Sequence, residues 1–315
     1  VIAGVCLIAS CSWPDSGSRP DWHERRLILI PGVCMDAASL PTPPALPPGL
    51  PQLPKHIQLP DWLACGQSGT RLDARARALA TFGPLLDTVR HGGAGAQTFG
   101  ANDLRIYSYD ANTLNAYDTA TTRQSLADSA SALAHEFAAW HRQEPRATFD
   151  IVGHSLGGVI ALFWASTASA SNLAYVHAIV TLDSPVAGYP AALSGYVHSY
   201  LTPLFGAVAS ALADNSESLH AVSKAPGRWS RGAGRFTNAI FNLSNVRDIV
   251  VPAFIATLGG ADGLIDDYGT GPDAFNHGAV VRSSRALAVS AAVVQTSDGP
   301  QLSSPGASAD PRAAA

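Results

Sequence analysis

The chain has 315 residues, 47% of them hydrophobic and 14% charged, enough apolar material to bury a sizeable core in one elaborated domain or at most two. A formal net charge of −4 and a pI near 6.2 supply no basic stripe for a phosphate backbone, and no Cys/His spacing has the form of a zinc module. Nucleic acid and structural zinc are therefore set aside.

In chain order, the first segment is VIAGVCLIAS, mostly apolar but too short to span a bilayer, followed by the polar CSWPDSGSRPDW. It reads as the hydrophobic part of a secretory signal. Ile8-Ala9-Ser10-Cys11 is also similar to the bacterial lipobox, in which the cysteine carries the lipid. The expectation is a secreted or cell-envelope protein, with residues 1–20 as signal or lipid anchor at Cys11; a disordered or edge-strand start is the other reading. Cys34 and Cys65 then remain as an even pair in an oxidising compartment, either a disulfide across the loop between them or two buried thiols.

RRLILIPG (25–32) is an apolar run cut off by Pro-Gly, which predicts a strand buried on both faces. SLPTPPALPPGLPQLPKHIQLP (39–60) holds too much proline for a helix or a central strand, and is read as an extended surface loop that either frames a site or docks elsewhere. Residues 70–91 space Leu72, Ala76, Leu79, Phe82, Leu86 and Val89 as a helix that Gly83-Pro84 is expected to break or kink. DLRIYSYD (103–110) predicts a second strand, and residues 121–145 an amphipathic helix closed by Pro145. ATFDIV, the GHSLGG turn, GVIALFWASTAS and HAIVTLDSP (177–185) then read as strand, turn, helix and strand. This order predicts an α/β fold with a mostly parallel sheet and right-handed crossovers.

A bare GxSxG arises by chance roughly 0.2 times in a chain of this glycine and serine content, so the flanks decide what Ser155 is. Here it stands between a predicted strand end and a predicted helix start. A nucleophile on such a turn needs side-chain-free neighbours, which Gly153 and Gly157 are. GQSGT (66–70) lacks both the last glycine and a preceding strand, and reads as an ordinary loop.

A serine hydroxyl needs a base to take its proton and an acid to orient that base. RFTNAIFNLSNVRDIVVP (235–252) is a strand-like run reaching Asp248, the first candidate acid; Asp183, in TLDSP, is the rival, with a turn or cap role as its other reading. Of ten histidines only His277 follows Asp248, and it is the candidate base, a structural histidine being the alternative. Between 190 and 216, Leu193, Tyr196, Tyr200, Leu204 and Phe205 recur three or four apart, with Pro203 interrupting. They form either a lid that meets an acyl chain or a helix pair packed permanently on the sheet. Residues 295–315 read as a flexible tail.

GHSLGG, the aspartate of SNVRDIVVP and the histidine of NHGAVVRS, together with YSYDANTLNAYDTATTRQSLADSASAL and TLDSPVAG, resemble the α/β hydrolase superfamily, in particular its bacterial lipases and esterases, from about Arg25 to Val294. The resemblance implies a mostly parallel central sheet flanked by helices, one domain over residues 21–294, and a lid-like insertion at 190–216. It implies hydrolysis of hydrophobic acyl esters, polyesters included, through an acyl-enzyme, with Ser155 as nucleophile, His277 as base and Asp248 as acid. It also implies an oxyanion hole made by backbone amides, Leu156 on one side and the residue after Gly32 on the other. Pro31-Gly32 stands where many members carry His-Gly, and proline has no N–H, so Val33 or Cys34 has to serve. No metal, organic cofactor or protein partner is implied beyond a small-molecule or lipid ester. An acyltransferase with the same triad and a non-catalytic surface lipoprotein on the hydrolase scaffold are the alternative functions.

Overall fold

The computed structural model describes residues 21–34, 72–91, 97–110, 116–190, 202, 206–212, 222, 240–245, 247–248, 250–251, 255–256, 262–267 and 277–295. Six strands form one sheet: β1 (Asp21–Ile30), β3 (Leu104–Ile106), β5 (Ala147–His154), β6 (Val176–Leu182), β7 (Ile240–Asn245) and β8 (Asp262–Asp266). Their order is β3-β1-β5-β6-β7-β8, and every neighbouring pair is parallel. Two further strands, β2 (Leu72–Asp73) and β4 (Ala116–Tyr117), pair antiparallel as a separate ribbon.

Parallel strands joined by crossover helices are covered on both faces, which is why the second half of β1 (Leu27 to Ile30), β5 and β6 carry largely apolar sequence. The pleat sends alternate residues of β1 to opposite sides. Ile28 and Ile30 pack in one core with Phe149, Ile151 and Trp164, while Leu27 and Leu29 pack in a second with Phe82, Val152 and Val180. The first core lies under α3 (Leu126–Gln143) and α4 (Leu156–Thr167); the second lies under α1 (Ala74–Arg90) and α7 (Ser284–Gln295). Short helices α2 (Thr119–Thr122), α5 (Ala170–Leu173) and α6 (Ala207–Ala211) and a 3-10 turn over Ala101–Asp103 complete the described elements. None of the described helices is long and apolar enough to cross a membrane.

Several boundaries differ from the sequence reading, three of them in α1, α3 and β3. Helix α1 runs unbroken through Gly83-Pro84. An interior proline costs about 3 kcal/mol, but α1 buries Phe82, Leu85, Leu86 and Val89 around it at roughly 1.5–3 kcal/mol each. The helix expected over 121–145 is two helices, because Ser125 caps α3 by accepting from the Asp128 amide at 3.0 Å. The strand expected over 103–110 ends at Ile106, beyond which Tyr107 donates one more backbone bond to Leu29 at 3.1 Å.

Cys34 is disulfide-bonded, so the reading as a buried thiol does not hold for it. The leader with Cys11, the Pro-rich loop 39–60, Cys65, and Leu193, Tyr196, Tyr200, Leu204 and Phe205 of the insertion lie outside the described residues.

Candidate active site

The chain leaves β5 at His154 and enters α4 at Leu156, so Ser155 alone makes the turn, at φ 54° and ψ −126°. A left-handed backbone on a residue with a side chain costs of order 1–3 kcal/mol and persists only where its surroundings fix it. Here the Ser155 amide donates to the Leu182 carbonyl at 2.9 Å. The flanking glycines are required by close approach: a Cβ on Gly153 would run into the Gly158 backbone, and one on Gly157 into the Ile30 carbonyl. The sequence expectation for this turn and the geometry coincide.

Beyond β7, a short turn carries Asp248, whose amide donates to Asn245 at 3.1 Å. Its Oδ1 accepts from the Val250 and Val251 amides at 2.8 and 3.0 Å, and its Oδ2 faces His277 Nδ1 at 2.6 Å. A carboxylate only accepts, so Nδ1 donates and Nε2 is left as the basic nitrogen. Burial pushes the Asp248 carboxyl up, and the facing imidazole and the two amides pull it back. Tyr189 holds the far side of the turn, donating to the Val250 carbonyl at 2.9 Å.

His277 reaches the elbow through His154. The two rings lie 4.8 Å apart between centroids, and His154 Nε2 is 3.1 Å from the His277 carbonyl. Burial holds His154 well below the usual imidazole range, so it stays neutral and donates to that carbonyl. His154 precedes Asp248 in the chain, so the sequence reading gave it no part; its part is to hold the backbone of His277. No spacing in the chain signals that.

Asp183, the rival acid, is the other non-glycine residue with positive φ among those described, at 42°. Its Oδ1 accepts from the Asn245 amide at 2.7 Å, tying β6 to the end of β7, while Asp248 makes the bond to His277. Carboxylate oxygens of Asp183 and Asp248 and a ring nitrogen of His277 lie within 4.8 Å of one another, a spacing that also suits one cation. The Asp248–His277 hydrogen bond occupies the nitrogen such an ion would share.

The loop after β1 rides over the serine. A Cβ on Gly32 would stand 2.8 Å from Ser155 Cβ and 3.3 Å from its Oγ, so only glycine fits. Of the two amides left open by the sequence, that of Cys34 donates to Thr122 Oγ1 at 3.4 Å, and that of Val33 has no acceptor among the described residues. Leu156 opens α4, where amides have no intrahelical acceptor. The carbonyls of Pro31 and Gly32 accept from the hydroxyls of Tyr109, at 2.7 Å, and Tyr117. The sequence reading assigned neither tyrosine a role.

Over residues 89–230 the chain matches a family model described as a PGAP1-like alpha/beta domain. No curated protein matches it. Among solved structures it is similar to a Bacillus licheniformis lipase in mature form at 12% identity and a TM-score of 0.47, covering 89% of this chain and 96% of that one. It is similar to Aspergillus fumigatus lipase B at 13% identity and a TM-score of 0.48, covering 91% of this chain and 56% of the lipase. A Paleococcus ferrophilus monoacylglycerol lipase is similar at 11% identity and a TM-score of 0.39, covering 86% of this chain and 96% of its own.

Proposed function

We propose that the chain is an α/β hydrolase and works as a serine carboxylic ester hydrolase, of the lipase and esterase kind, through an acyl-enzyme. The observation that carries the reading is the 2.6 Å bond between Asp248 and His277, whose ring lies 4.8 Å from that of His154, the residue preceding a serine held in a left-handed turn. Ser155 Oγ bonds to the substrate carbonyl carbon as its proton passes to His277 Nε2, and the carbonyl oxygen takes up the negative charge. The amides of Val33 and Leu156 receive that oxyanion. Collapse of the intermediate breaks the bond to the alcohol, which leaves with the proton from His277. Water then attacks the acyl-enzyme with His277 again as base, releasing the carboxylic acid and restoring the serine. Asp248 keeps the imidazole in the tautomer with Nε2 basic and stabilises its charged form.

The acyl side of the substrate is hydrophobic in this reading, supported by the apolar spacing of the 190–216 segment; polyesters belong to the same class. The test is a chain-length series of chromogenic esters with Ser155→Ala alongside. That variant loses about a thousandfold or more in kcat, as expected for removal of a triad member. Wild-type turnover in the variant, or equal labelling of both proteins by an active-site phosphonate, overturns the assignment.

A further inference from the structure

Gly32 is dictated by its contact with Ser155, and a glycine leaves the backbone soft at the point where an oxyanion donor has to be aimed. If the Gly32–Val33 peptide flips, it presents a carbonyl oxygen to the developing negative charge instead of an N–H. The segment between β3 and α3 opposes this. Tyr117 donates to the Gly32 carbonyl, Tyr109 donates to the Pro31 carbonyl at 2.7 Å, and Thr122 Oγ1 takes the Cys34 amide at 3.4 Å. All three side chains are buried. The Tyr117 ring is itself fixed, with Tyr109 edge-on at 5.5 Å between centroids and the Arg77 guanidinium 5.5 Å from the ring centre. Burial raises both phenols above their ordinary range, so they remain donors wherever the protein is folded.

In a trans peptide the C=O and N–H of one unit point to opposite sides. A hydroxyl fixed on the Gly32 oxygen therefore fixes the Val33 N–H on the side away from Tyr117. We infer that Tyr117, backed by Tyr109, is a positioning residue that locks the Gly32–Val33 peptide with its N–H presented to the oxyanion. This rests on the ester-hydrolase reading above and assigns a task to a segment that reading left unused.

Tyr107 provides the control. It belongs to the same aromatic cluster, 4.9 Å from Tyr109 between centroids, but donates to the Ser129 carbonyl of α3 at 2.8 Å and not to the loop. The experiment compares Tyr117→Phe, Tyr109→Phe, Tyr107→Phe and Ser155→Ala in the full chain. It measures kcat and KM on a short chromogenic ester, Ki of a trifluoromethyl ketone that closes on the serine as a tetrahedral oxyanion, phosphonate-titrated sites and Tm.

Tyr117→Phe is expected to lower kcat per titrated site by about 10- to 50-fold, less than the 10²–10³ lost with a whole donor. KM stays within about twofold, and the ketone Ki rises by the same factor as kcat falls, because both report the oxyanion. Tyr107→Phe lowers Tm and leaves kcat per site within about twofold, as expected for a hydrogen bond whose worth is stability alone. Equal kcat per site in the Tyr117 and Tyr107 variants overturns the inference. Should Tyr117→Phe fail to fold, Tyr109→Phe decides by the same criterion, with a loss of about fivefold or more expected. Turnover retained by Ser155→Ala removes the hydrolase reading and this inference with it; a dead Ser155→Ala beside a silent Tyr117→Phe removes only the inference.

Discussion

Glu136 shows how much a single buried group in this molecule depends on protonation. It sits in α3 and accepts from Ser108, from the amide at 3.2 Å and from Oγ at 2.8 Å, and burial pushes its carboxyl up to about 8. The unfolded chain sheds this proton near pH 4.5 and the folded chain only near 8, so between those values the folded state binds more protons. Its contribution to stability is therefore intact below about 4.5 and declines as pH rises to 8, by up to about 4 kcal/mol. Glutamine keeps the acceptor for Ser108 and has no proton to lose. Glu136→Gln is expected to raise Tm at pH 8 and to leave it nearly unchanged at pH 4.5; an equal shift at both values contradicts the assignment. At this scale the sequence was unequally informative. Ser155, Asp248 and His277 were nominated by residue type and chain order. His154, Tyr109 and Tyr117 were not, because they act through backbone carbonyls of Pro31, Gly32 and His277, and any residue type at those positions supplies a carbonyl.

The elbow belongs to two elements at once, and its tolerance follows from that. Gly157 lies in the first turn of α4 with its Cα against the Ile30 carbonyl at the end of β1, and backbone on both sides cannot give way as a flexible side chain does. Gly157→Ala is expected to cost about 3 kcal/mol in urea denaturation, the upper part of the range for overpacking, although alanine has the higher helix propensity. A neutral or stabilising result means that α4 moves off the sheet at little cost. Elements with long apolar periods, β1, β5, α4 and β6, were legible from their sequences because burial on both faces leaves a continuous apolar signature. Of the break or kink expected at Gly83-Pro84, the break does not occur: local propensity argues for it, and the tertiary burial of Phe82 and Leu86 argues against it. Strand β8 was not anticipated: DGLID carries two aspartates and a glycine, and its place is the sheet edge beyond β7, where pairing with one neighbour suffices.

Across the whole molecule, the two cores meet at the sheet, and the C-terminal ends of β1, β5, β6 and β7 bring together the oxyanion loop, the serine, Asp183 and the Asp248 turn. The α/β class and the parallel sheet followed from element order alone; the lateral order of the strands did not, because pairing is decided between segments far apart in sequence. That lateral order has a temporal consequence. Strand β1 comes first in chain order among the described strands of the sheet, and both of its partners lie far along the chain: Leu27 lies opposite Leu104 on one side and Asp150 on the other. Strands β5 and β6, by contrast, adjoin across a single crossover and can associate early, since short loops close at lower entropic cost. Gly157, two residues beyond Ser155, lies against the Ile30 carbonyl at the end of β1, so the packing around the elbow is complete only once β1 has inserted between its two distant partners. In refolding from denaturant, phosphonate-reactive sites are accordingly expected to appear after far-UV ellipticity has recovered; simultaneous recovery means that β1 inserts with the first collapse. Ser155 is accordingly expected to become reactive last, in a chain whose helices have already formed.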